Sequence, residues 1–401
     1  MNETTLLDAM RQAEPSQAAQ LFRDELRSMA RTALLSLVEE EVRDLCGEKY
    51  DPTSGSGFFR AGSAQSSVYV DGRKEAISRP RVRELTDDGT QEIRLKTFQA
   101  ARNTEEWERI MMRSVLCGVS CRDHKKLTPD HIQGKSASSI SRLWAEKASA
   151  LVEELNQRDL SKQPILVLML DGIALSDTIC AITALGVDSK GRKHILGFNV
   201  GSSENFEVAK DLVVGLQQRG FTLAAKQLLC VLDGSKALRK AVLHVYPDAK
   251  IQRCLIHKER NIRSYLARKH HGTLAGFFAR LRKAQGLDAA KEIYEELEAF
   301  LKDKNAEAHQ SYLEAEEELI TVYALGMPSS LNRSFLSTNL IENAFCNLRR
   351  HFRRVTRWRD ETVMAKQWTA SGLSIAQRTF RRIHSYEDLA LLKAALNTEA
   401  R

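Results

Sequence analysis

Hydrophobic and polar positions divide the N-terminal part of the chain into segments of different character. Residues 1–47 place apolar side chains at helical spacing between acids and arginines, which predicts amphipathic helix. Residues 51–63 are rich in glycine and serine and predict a break. The strand-like run Ser67–Val70, followed by Asp71-Gly72, then predicts a β-hairpin within a small β-rich module.

Helical spacing returns over residues 103–150, where two segments are candidates for a helix-turn-helix. They are residues 110–120 and residues 136–144, and in the second, small hydroxylic residues precede the apolar anchors Ile140, Leu143 and Trp144. Small residues in its first turn allow a recognition helix to approach a DNA groove closely. The alternative is a pair of ordinary packing helices.

A different pattern, that of an α/β unit, begins at residue 165. The predicted elements run strand, strand, strand, helix, strand, helix, strand. Their bounds are 165–170, 178–187, 194–200, 205–219, 228–232, 236–245 and 249–255. Three antiparallel strands followed by parallel ones match a ribonuclease-H-like sheet. From residue 258 to the C-terminus the periodicity is helical.

Two acids, Asp171 and Asp233, each follow a fully apolar run that is predicted to be a strand. Function in α/β sheets collects at the carboxyl ends of strands. In a ribonuclease-H-like arrangement the first and fourth strands are neighbours, so the two carboxylates would lie close enough to share Mg²⁺ or Mn²⁺. Either acid alone fits an ordinary Asp-Gly turn. The pair in this order favours a metal site for phosphoryl transfer.

A third acid, Glu342, opens a segment crowded with arginine. Ser337, Thr338 or Asn339 can cap a helix here. On that helix Glu342, Arg349 and Arg353 share a face. The arginines of this cluster are Arg349, Arg350, Arg353, Arg354, Arg357 and Arg359. Arginine suits bidentate phosphate binding, so the cluster indicates DNA contacts, whereas a solvated basic surface is the alternative.

A second group of arginines alternates along the β-rich module. Arg79, Arg81 and Arg83 would point the same way in an extended chain. A phosphate-contacting row and a solvated strand face are both consistent with this spacing.

The composition indicates what kind of molecule the protein binds and where it is located. The net charge of +8 over 401 residues favours a polyanionic partner. The N-terminal residues include acids and lack an apolar stretch, so no signal peptide is expected, and no run reaches the length of a membrane span. Seven scattered cysteines favour a reducing cytoplasm. Cys254 and His257 form only half of a zinc site, which disfavours zinc.

Four segments together resemble the mutator-type transposases of the IS256 group. They are LDGIALSDTICAITALGVDSKGRKHILGF, VLDGSKALRKAV, YPDAKIQRCLIHKERN and STNLIENAFCNLRRHFRR. The resemblance covers roughly residues 160–265 and 330–395, and it extends more loosely to FFRAGS and RPRVR in the N-terminal half.

The resemblance implies a DDE transposase whose ribonuclease-H-like core is interrupted by an all-α insertion. Asp171, Asp233 and Glu342 match the three family acids that bind Mg²⁺ or Mn²⁺, and Cys254 and His257 match a C-x-x-H element that supports the active site or the DNA. The implied substrate is the terminal inverted repeats of the protein's own insertion sequence, together with target DNA. Strand transfer at paired ends implies a homodimer, in a bacterial cytoplasm and associated with the nucleoid.

Six regions follow from these patterns and the resemblance. They are an N-terminal helical region (1–50), a small β-rich module (51–100), a helical region with the possible helix-turn-helix (101–160), the first part of the catalytic core (161–257), the all-α insertion (258–335) and the C-terminal helices of the core (336–401). A non-catalytic DNA-binding protein and a nuclease that cuts without joining remain the alternatives. The presence of all three acids argues against the first, and only reaction products distinguish the second.

Overall fold

The computed structural model describes residues 3–52, 57–70, 73–87, 89–102, 105–124, 136–203, 205–352, 355 and 361–398. In these residues α-helices are combined with a five-stranded sheet, a three-stranded sheet and a two-stranded ribbon. The chain forms two compact units, Met1–Leu143 and Trp144–Arg401. None of the described helices is long and apolar enough to cross a membrane.

The first unit begins with helices and continues with short and long strands. Its elements are α1 (Glu3–Gln12), α2 (Pro15–Cys46), β1 (Gly47–Glu48), β2 (Asp51–Pro52), β3 (Phe58–Val70), β4 (Arg73–Thr86), β5 (Gly89–Ile93), α3 (Lys96–Ala101) and α4 (Glu105–Leu116). Helix α5 (Ala137–Gln157) begins in this unit and ends in the second.

The predicted hairpin of the β-rich module is confirmed. Strands β3 and β4 are antiparallel, with Val70 opposite Arg73, and the connecting Asp71-Gly72 lies outside the described residues. The predicted break at 51–63 is wrong at Asp51–Pro52, which form β2, and from Phe58 onward, because Phe58, Phe59 and Arg60 already pair with β4. Long-range pairing overrides the weak strand propensity of this Gly/Ser-rich stretch.

The second unit contains the remaining strands and helices. They are β6 (Ile165–Ser176), β7 (Ile179–Asp188), β8 (Lys193–Gly201), α6 (Phe206–Gln218), β9 (Leu229–Leu232), α7 (Lys236–Val245), β10 (Lys250–Arg253), α8 (Leu255–Tyr265), α9 (His271–Lys283), α10 (Leu287–Lys304), α11 (Ala306–Leu313), α12 (Thr321–Ala324), α13 (Asn332–Phe335), α14 (Asn339–Phe352), α15 (Glu361–Arg378) and α16 (Leu389–Asn397).

The five-stranded sheet has the order β10-β9-β6-β7-β8. Strands β6, β7 and β8 are antiparallel neighbours, whereas β9 runs parallel to β6 and β10 runs parallel to β9. The predicted order of elements is therefore confirmed, and so is the expectation that the first and fourth strands are neighbours. The helical prediction for residues 258–335 is also confirmed among the described residues.

The first strand of this sheet is longer than the sequence predicted. Asp171 and Gly172 do not form a turn after it, because β6 continues to Ser176. Asp171 lies opposite Thr183 of β7, and the antiparallel pairing extends beyond it. The expectation that Asp171 ends a strand is therefore wrong for the antiparallel pairing. The parallel pairing of β6 with β9 does end just before it, at Leu170.

The two faces of this sheet bury different sets of side chains. On one face, Leu168, Leu170 and Leu232 pack in a core that also contains residues of α6 and α7. On the other face, Met169 and Ile173 belong to a larger core shared with helices α8 to α16. Side chains alternate between faces along a strand, so Asp171 lies on the side of Met169 and Ile173. That is also the side from which α14 approaches β6.

Candidate active site

Three chain segments leave the sheet side by side. In the register, Leu170 of β6 lies opposite Leu232 of β9, and Leu232 lies opposite Arg253 of β10. The residues that follow them are Asp171, Asp233 and Cys254. Asp171, Asp233 and Cys254 therefore lie at the same level, directly after the last paired residues of the three parallel strands. The sequence prediction that Asp171 and Asp233 lie on neighbouring strands is thus confirmed.

Each aspartate is anchored by a backbone donor. Gly172 N–H donates to Oδ1 of Asp171 at 2.9 Å, and Ser235 N–H donates to Oδ1 of Asp233 at 2.9 Å. Ser235 is also the N-cap of α7, since its hydroxyl accepts from Leu238 N–H. Both carboxylates are therefore oriented by the backbone of the chain that follows them.

Asp171 is in an environment that disfavours negative charge. Its exposed fraction is only 5%. Burial, reinforced by the negative charges of Asp233 and Glu342, raises the pKa of Asp171 to about 7, although His257 and the Gly172 N–H act in the opposite direction. A buried acid held beside other acids is what a cation would stabilise.

Glu342 approaches from the first turn of α14. Its Oε1 lies 3.4 Å from Nε2 of His257 and 3.4 Å from the hydroxyl of Thr338. The Glu342 N–H donates to the Thr338 carbonyl, so the helix itself fixes the start of this turn. The structure thus places Glu342 beside His257, on the face of β6 that carries Asp171.

Cys254 and His257 lie inside this arrangement. Thr338 N–H donates to Cys254 Sγ at 3.4 Å, and the Thr338 hydroxyl lies 3.3 Å from Nδ1 of His257. Thr338 is fully buried and joins the loop before α14 to the start of α8. The sequence had suggested Thr338 only as a possible helix cap. Its contact with the distant Cys254 and His257 is what sequence reasoning missed.

The thiol and imidazole influence each other. The hydrogen bond with Cys254 is the largest cause that raises the pKa of His257, and it acts together with the charges of Cys254, Asp171 and Glu342 against burial. Burial by itself would raise the pKa of Cys254, but the hydrogen bond and charge of His257, with the Thr338 N–H, lower it. His257 is therefore favoured as a cation beside Glu342.

The three carboxylates suit a hard cation, but the described side chains do not form a complete set of metal ligands. Three carboxylates supply the oxygen ligands that Mg²⁺ and Mn²⁺ prefer. Among the described residues, no three His, Cys, Asp or Glu side chains are close enough together to hold a metal as they stand. Glu342 lies against His257 and Thr338.

The arginine cluster begins on the same helix. Arg349 and Arg350 are exposed in the last turn of α14, two helical turns after Glu342. Arg353, Arg354, Arg357 and Arg359 lie outside the described residues.

The other arginine row lies in the first unit. Arg79 and Arg81 both bind the carboxylate of Glu92, at 2.9 Å from Arg79 Nη2 and 2.9 Å from Arg81 Nε. This confirms that Arg79 and Arg81 share a face of β4. Arg83, two residues on, has a buried Nε without a hydrogen-bond partner in the described structure. The row exists, but two of its three arginines share one internal carboxylate.

The two candidate helix-turn-helix segments correspond to parts of α4 and α5. The connection through residues 125–135 lies outside the described residues, so this motif stays a prediction. Ile140 and Trp144 are buried, as expected for anchors. Trp144 packs on Trp368, with ring centroids 4.6 Å apart. Helix α5 continues to Gln157 and is much longer than the predicted segment.

Comparison with known proteins identifies the family. The family model for "Transposase, Mutator family" matches residues 1–371. The transposase for insertion sequence element IS905 of Lactococcus lactis is 28% identical over 378 residues, covering 89% of this chain and 90% of the relative. The transposase for IS6120 of Mycolicibacterium smegmatis is 30% identical over 54% of this chain and 67% of the relative, and that for IS256 in Tn4001 of Staphylococcus aureus is 27% identical over 62% and 65%. The chain therefore belongs to the Mutator family of transposases.

Proposed function

We propose that this transposase cleaves and joins DNA strands at the terminal inverted repeats of its insertion sequence, with Asp171, Asp233 and Glu342 as metal ligands. The register of the parallel strands β6 and β9 supports this assignment. It places Asp171 and Asp233 at the same level, each directly after the last pair of residues in these two neighbouring strands. Helix α14 brings Glu342 to the same face of the sheet. These two observations support the proposal that the three acids act together.

The core is proposed to be ribonuclease-H-like. Its support is the combination of strand order and direction: three antiparallel strands, then two parallel strands added beside the first. The helical region 258–335 separates this sheet from α14, as expected for an all-α insertion. The insertion and the core share one hydrophobic core.

The proposed cofactor is Mg²⁺ or Mn²⁺. When bound, such an ion would polarise a phosphodiester and stabilise the attacking and leaving oxygens. Asp171 and Asp233 would supply ligands from their second carboxylate oxygens, because Oδ1 of each accepts a backbone N–H. His257 would orient Glu342, and the exposed Arg349 and Arg350 would hold neighbouring phosphates.

Joining requires that two ends be held together, so a homodimer on paired ends is part of the proposal. The N-terminal unit would contribute DNA contacts through Arg79, Arg81 and Arg83. The region from α4 to α5 would contribute the helix-turn-helix. A nuclease that cuts without joining would use the same three acids and is separated from this proposal by its products.

The test uses the purified full-length chain, Mg²⁺ and labelled DNA that carries both ends of its insertion sequence. Wild-type protein should give cleaved and joined products, and Asp171→Asn or Glu342→Gln should reduce both to background while end binding persists. Asp177→Asn is the matched control, because Asp177 is an exposed acid in the turn after β6. Cleavage that survives Asp171→Asn would overturn the assignment, and free ends without joined products would favour the nuclease.

A further inference from the structure

A second polar site lies at the β10 edge of the five-stranded sheet, beside the candidate active site. It is a cavity of about 690 Å³ lined by the exposed face of α7, by Arg253, and by Glu314 and Glu318. Arg253 ends β10 opposite Leu232, the residue before Asp233. A Cβ atom placed on Gly234 would lie 3.6 Å from Cδ of Arg253. The cavity therefore adjoins the backbone that carries Asp233.

We propose that this cavity binds consecutive phosphates of the DNA strand whose scissile bond lies at the three acids. The inference rests on the proposed function and specifies where the strand runs: from Asp233 along the basic face of α7. It concerns residues that the resemblance and the sequence patterns did not assign to DNA.

The spacing of the basic residues supports a strand-like ligand. Lys236, Arg239, Lys240 and His244 all line the cavity and occupy one face of α7. From Lys236 to His244 the helix rises about 12 Å, since each residue adds about 1.5 Å. A stripe of that length is long enough to contact more than one consecutive phosphate of a DNA strand.

Arg253 provides an independent indication of a missing ligand. It is only 4% exposed, and its Nη1 is buried with no hydrogen-bond partner among the described residues. Its Nη1 lies 3.9 Å from Oε1 of Glu314, which is an ion-pair contact without a hydrogen bond. A buried guanidinium N–H that lacks an acceptor is costly. An anionic oxygen in the cavity would provide one.

Glu314 and Glu318 form ion pairs with Lys236, Arg239 and Arg253, but the two acids carry fewer charges than the basic residues that line the cavity. Glu318 binds Arg239 and Arg253, with the closest approaches at 2.5 and 3.2 Å. Glu314 lies 3.6 Å from Nζ of Lys236. Two acids thus face three fully charged residues of α7 and Arg253, so the cavity keeps an excess of positive charge. Lys240 is positioned separately, since its Nζ lies 4.5 Å from the centroid of the Phe206 ring.

The test measures binding to a fluorescein-labelled duplex from one end of the insertion sequence, in EDTA so that no strand is cut. The full-length Lys236→Ala/Lys240→Ala double variant removes two exposed side chains and leaves Arg253 intact. Two lost phosphate contacts should lower the slope of log affinity against log salt by about 1.8. The affinity gap to wild type should then narrow about tenfold between about 50 and about 200 mM salt.

Matched controls separate this effect from a general loss of charge. Lys291→Ala/Lys302→Ala removes two exposed lysines from α10 that do not line the cavity, and it should leave the slope nearly unchanged. Glu314→Gln removes a negative charge from the cavity and should strengthen binding severalfold. An unchanged slope in Lys236→Ala/Lys240→Ala, or equal losses in both lysine pairs, would overturn the subsite.

The binding test of the subsite does not depend on whether the protein cuts and joins DNA. If Lys236→Ala/Lys240→Ala lowers the slope as expected but wild-type protein does not cut the ends in Mg²⁺, the proposed function fails and the subsite stands. If the protein cuts and joins ends while Lys236→Ala/Lys240→Ala keeps the wild-type slope, the subsite fails and the proposed function stands.

Discussion

The imidazole of His257 lies against the carboxylate of Glu342, with Nε2 3.4 Å from Oε1. Each residue comes from the first turn of its helix, α8 or α14. The contact joins the end of the sheet to the helix that carries the third acid. From it we infer a physical role for the C-x-x-H element, in which His257 positions Glu342.

We expect His257→Ala to reduce DNA cleavage about 10- to 100-fold, the range typical of residues that orient a metal ligand. The variant should also need more Mg²⁺ or Mn²⁺ for half-maximal cleavage, because Glu342 is no longer held in place. Binding to end DNA in EDTA should be unchanged. Titrating the metal in a cleavage assay measures the effect.

A similar pair elsewhere in the chain supplies the control. His309 Nε2 lies 3.4 Å from Oε1 of Glu298 in the insertion. His309→Ala removes the same kind of contact and should leave the metal requirement unchanged. If both histidine variants shift the metal requirement equally, the positioning role of His257 is wrong.

For the arginine row of the N-terminal unit we predict a substitution that increases the salt dependence of DNA binding, whereas the lysine double variant in α7 decreases it. Hydrogen bonds from Arg81 and Arg79 hold the pKa of Glu92 at about 2, so this acid stays charged at neutral pH and keeps both arginines occupied. Glu92→Gln should free them for phosphates. Two added contacts would steepen the salt dependence of DNA binding by up to about 1.8.

Binding isotherms at several salt concentrations measure this change. Glu84→Gln is the control, because Glu84 lies on β4 with Arg79 and Arg81 and has no arginine partner among the described residues. If Glu92→Gln weakens binding or leaves the slope unchanged, Arg79 and Arg81 have a structural role in the β-rich module.

Asp188 makes folding stability depend on pH. Burial alone would raise its pKa, but hydrogen bonds from Arg192, His194 and the Lys190 N–H lower it below the usual range. A depressed folded pKa means that the stabilisation is fully present above the unfolded value of about 3.9 and is lost as pH falls through the folded pKa. Asp188 thus stabilises the turn between β7 and β8 at neutral pH.

We therefore expect Asp188→Asn to lower the urea midpoint at pH 7, and the difference from wild type to shrink below about pH 4. Urea unfolding at several pH values tests this expectation. Asp177→Asn, in the exposed turn between β6 and β7, should show no such pH-dependent difference. A gap that stays constant down to acid pH would assign the effect of Asp188→Asn to packing.

The strands of the core could be predicted because they are apolar on both faces. Val167 to Leu170 and Leu229 to Leu232 are buried throughout, and such runs are visible without knowing their partners. The same property explains why both aspartates stood out. The register then brings them to one level, which the sequence had suggested only through the order of the elements.

Other features depend on pairing between distant segments and could not be predicted. Strand β6 continues beyond Asp171 because β7 pairs with it, and the Gly/Ser-rich start of β3 is extended because β4 lies beside it. Thr338 contacts Cys254, which is 84 residues away in sequence. The basic stripe of α7 was not predicted, and only the fold shows that Arg253 joins it.

Gly372 permits close packing between α14 and α15, and we expect this packing to position Glu342. A Cβ atom on Gly372 would collide with the side chain of Leu348, which is fully buried on α14. Gly372→Ala should destabilise the fold by about 1–3 kcal/mol, the usual cost of overpacking a core. It should also reduce cleavage more than DNA binding, because displacement of α14 moves Glu342, whereas the proposed contacts of Arg79, Arg81 and Arg83 do not involve α14.

Gly215→Ala is the matched control for this prediction. Gly215 also lies inside a helix, α6, and a Cβ atom there would meet nothing within 4 Å. Because alanine is the better helix former, this variant should gain about 0.5–1 kcal/mol. Urea unfolding and cleavage assays of both variants give the comparison. Equal stability of the two variants would mean that α14 and α15 can separate without cost, and Glu342 would then not be positioned by their packing.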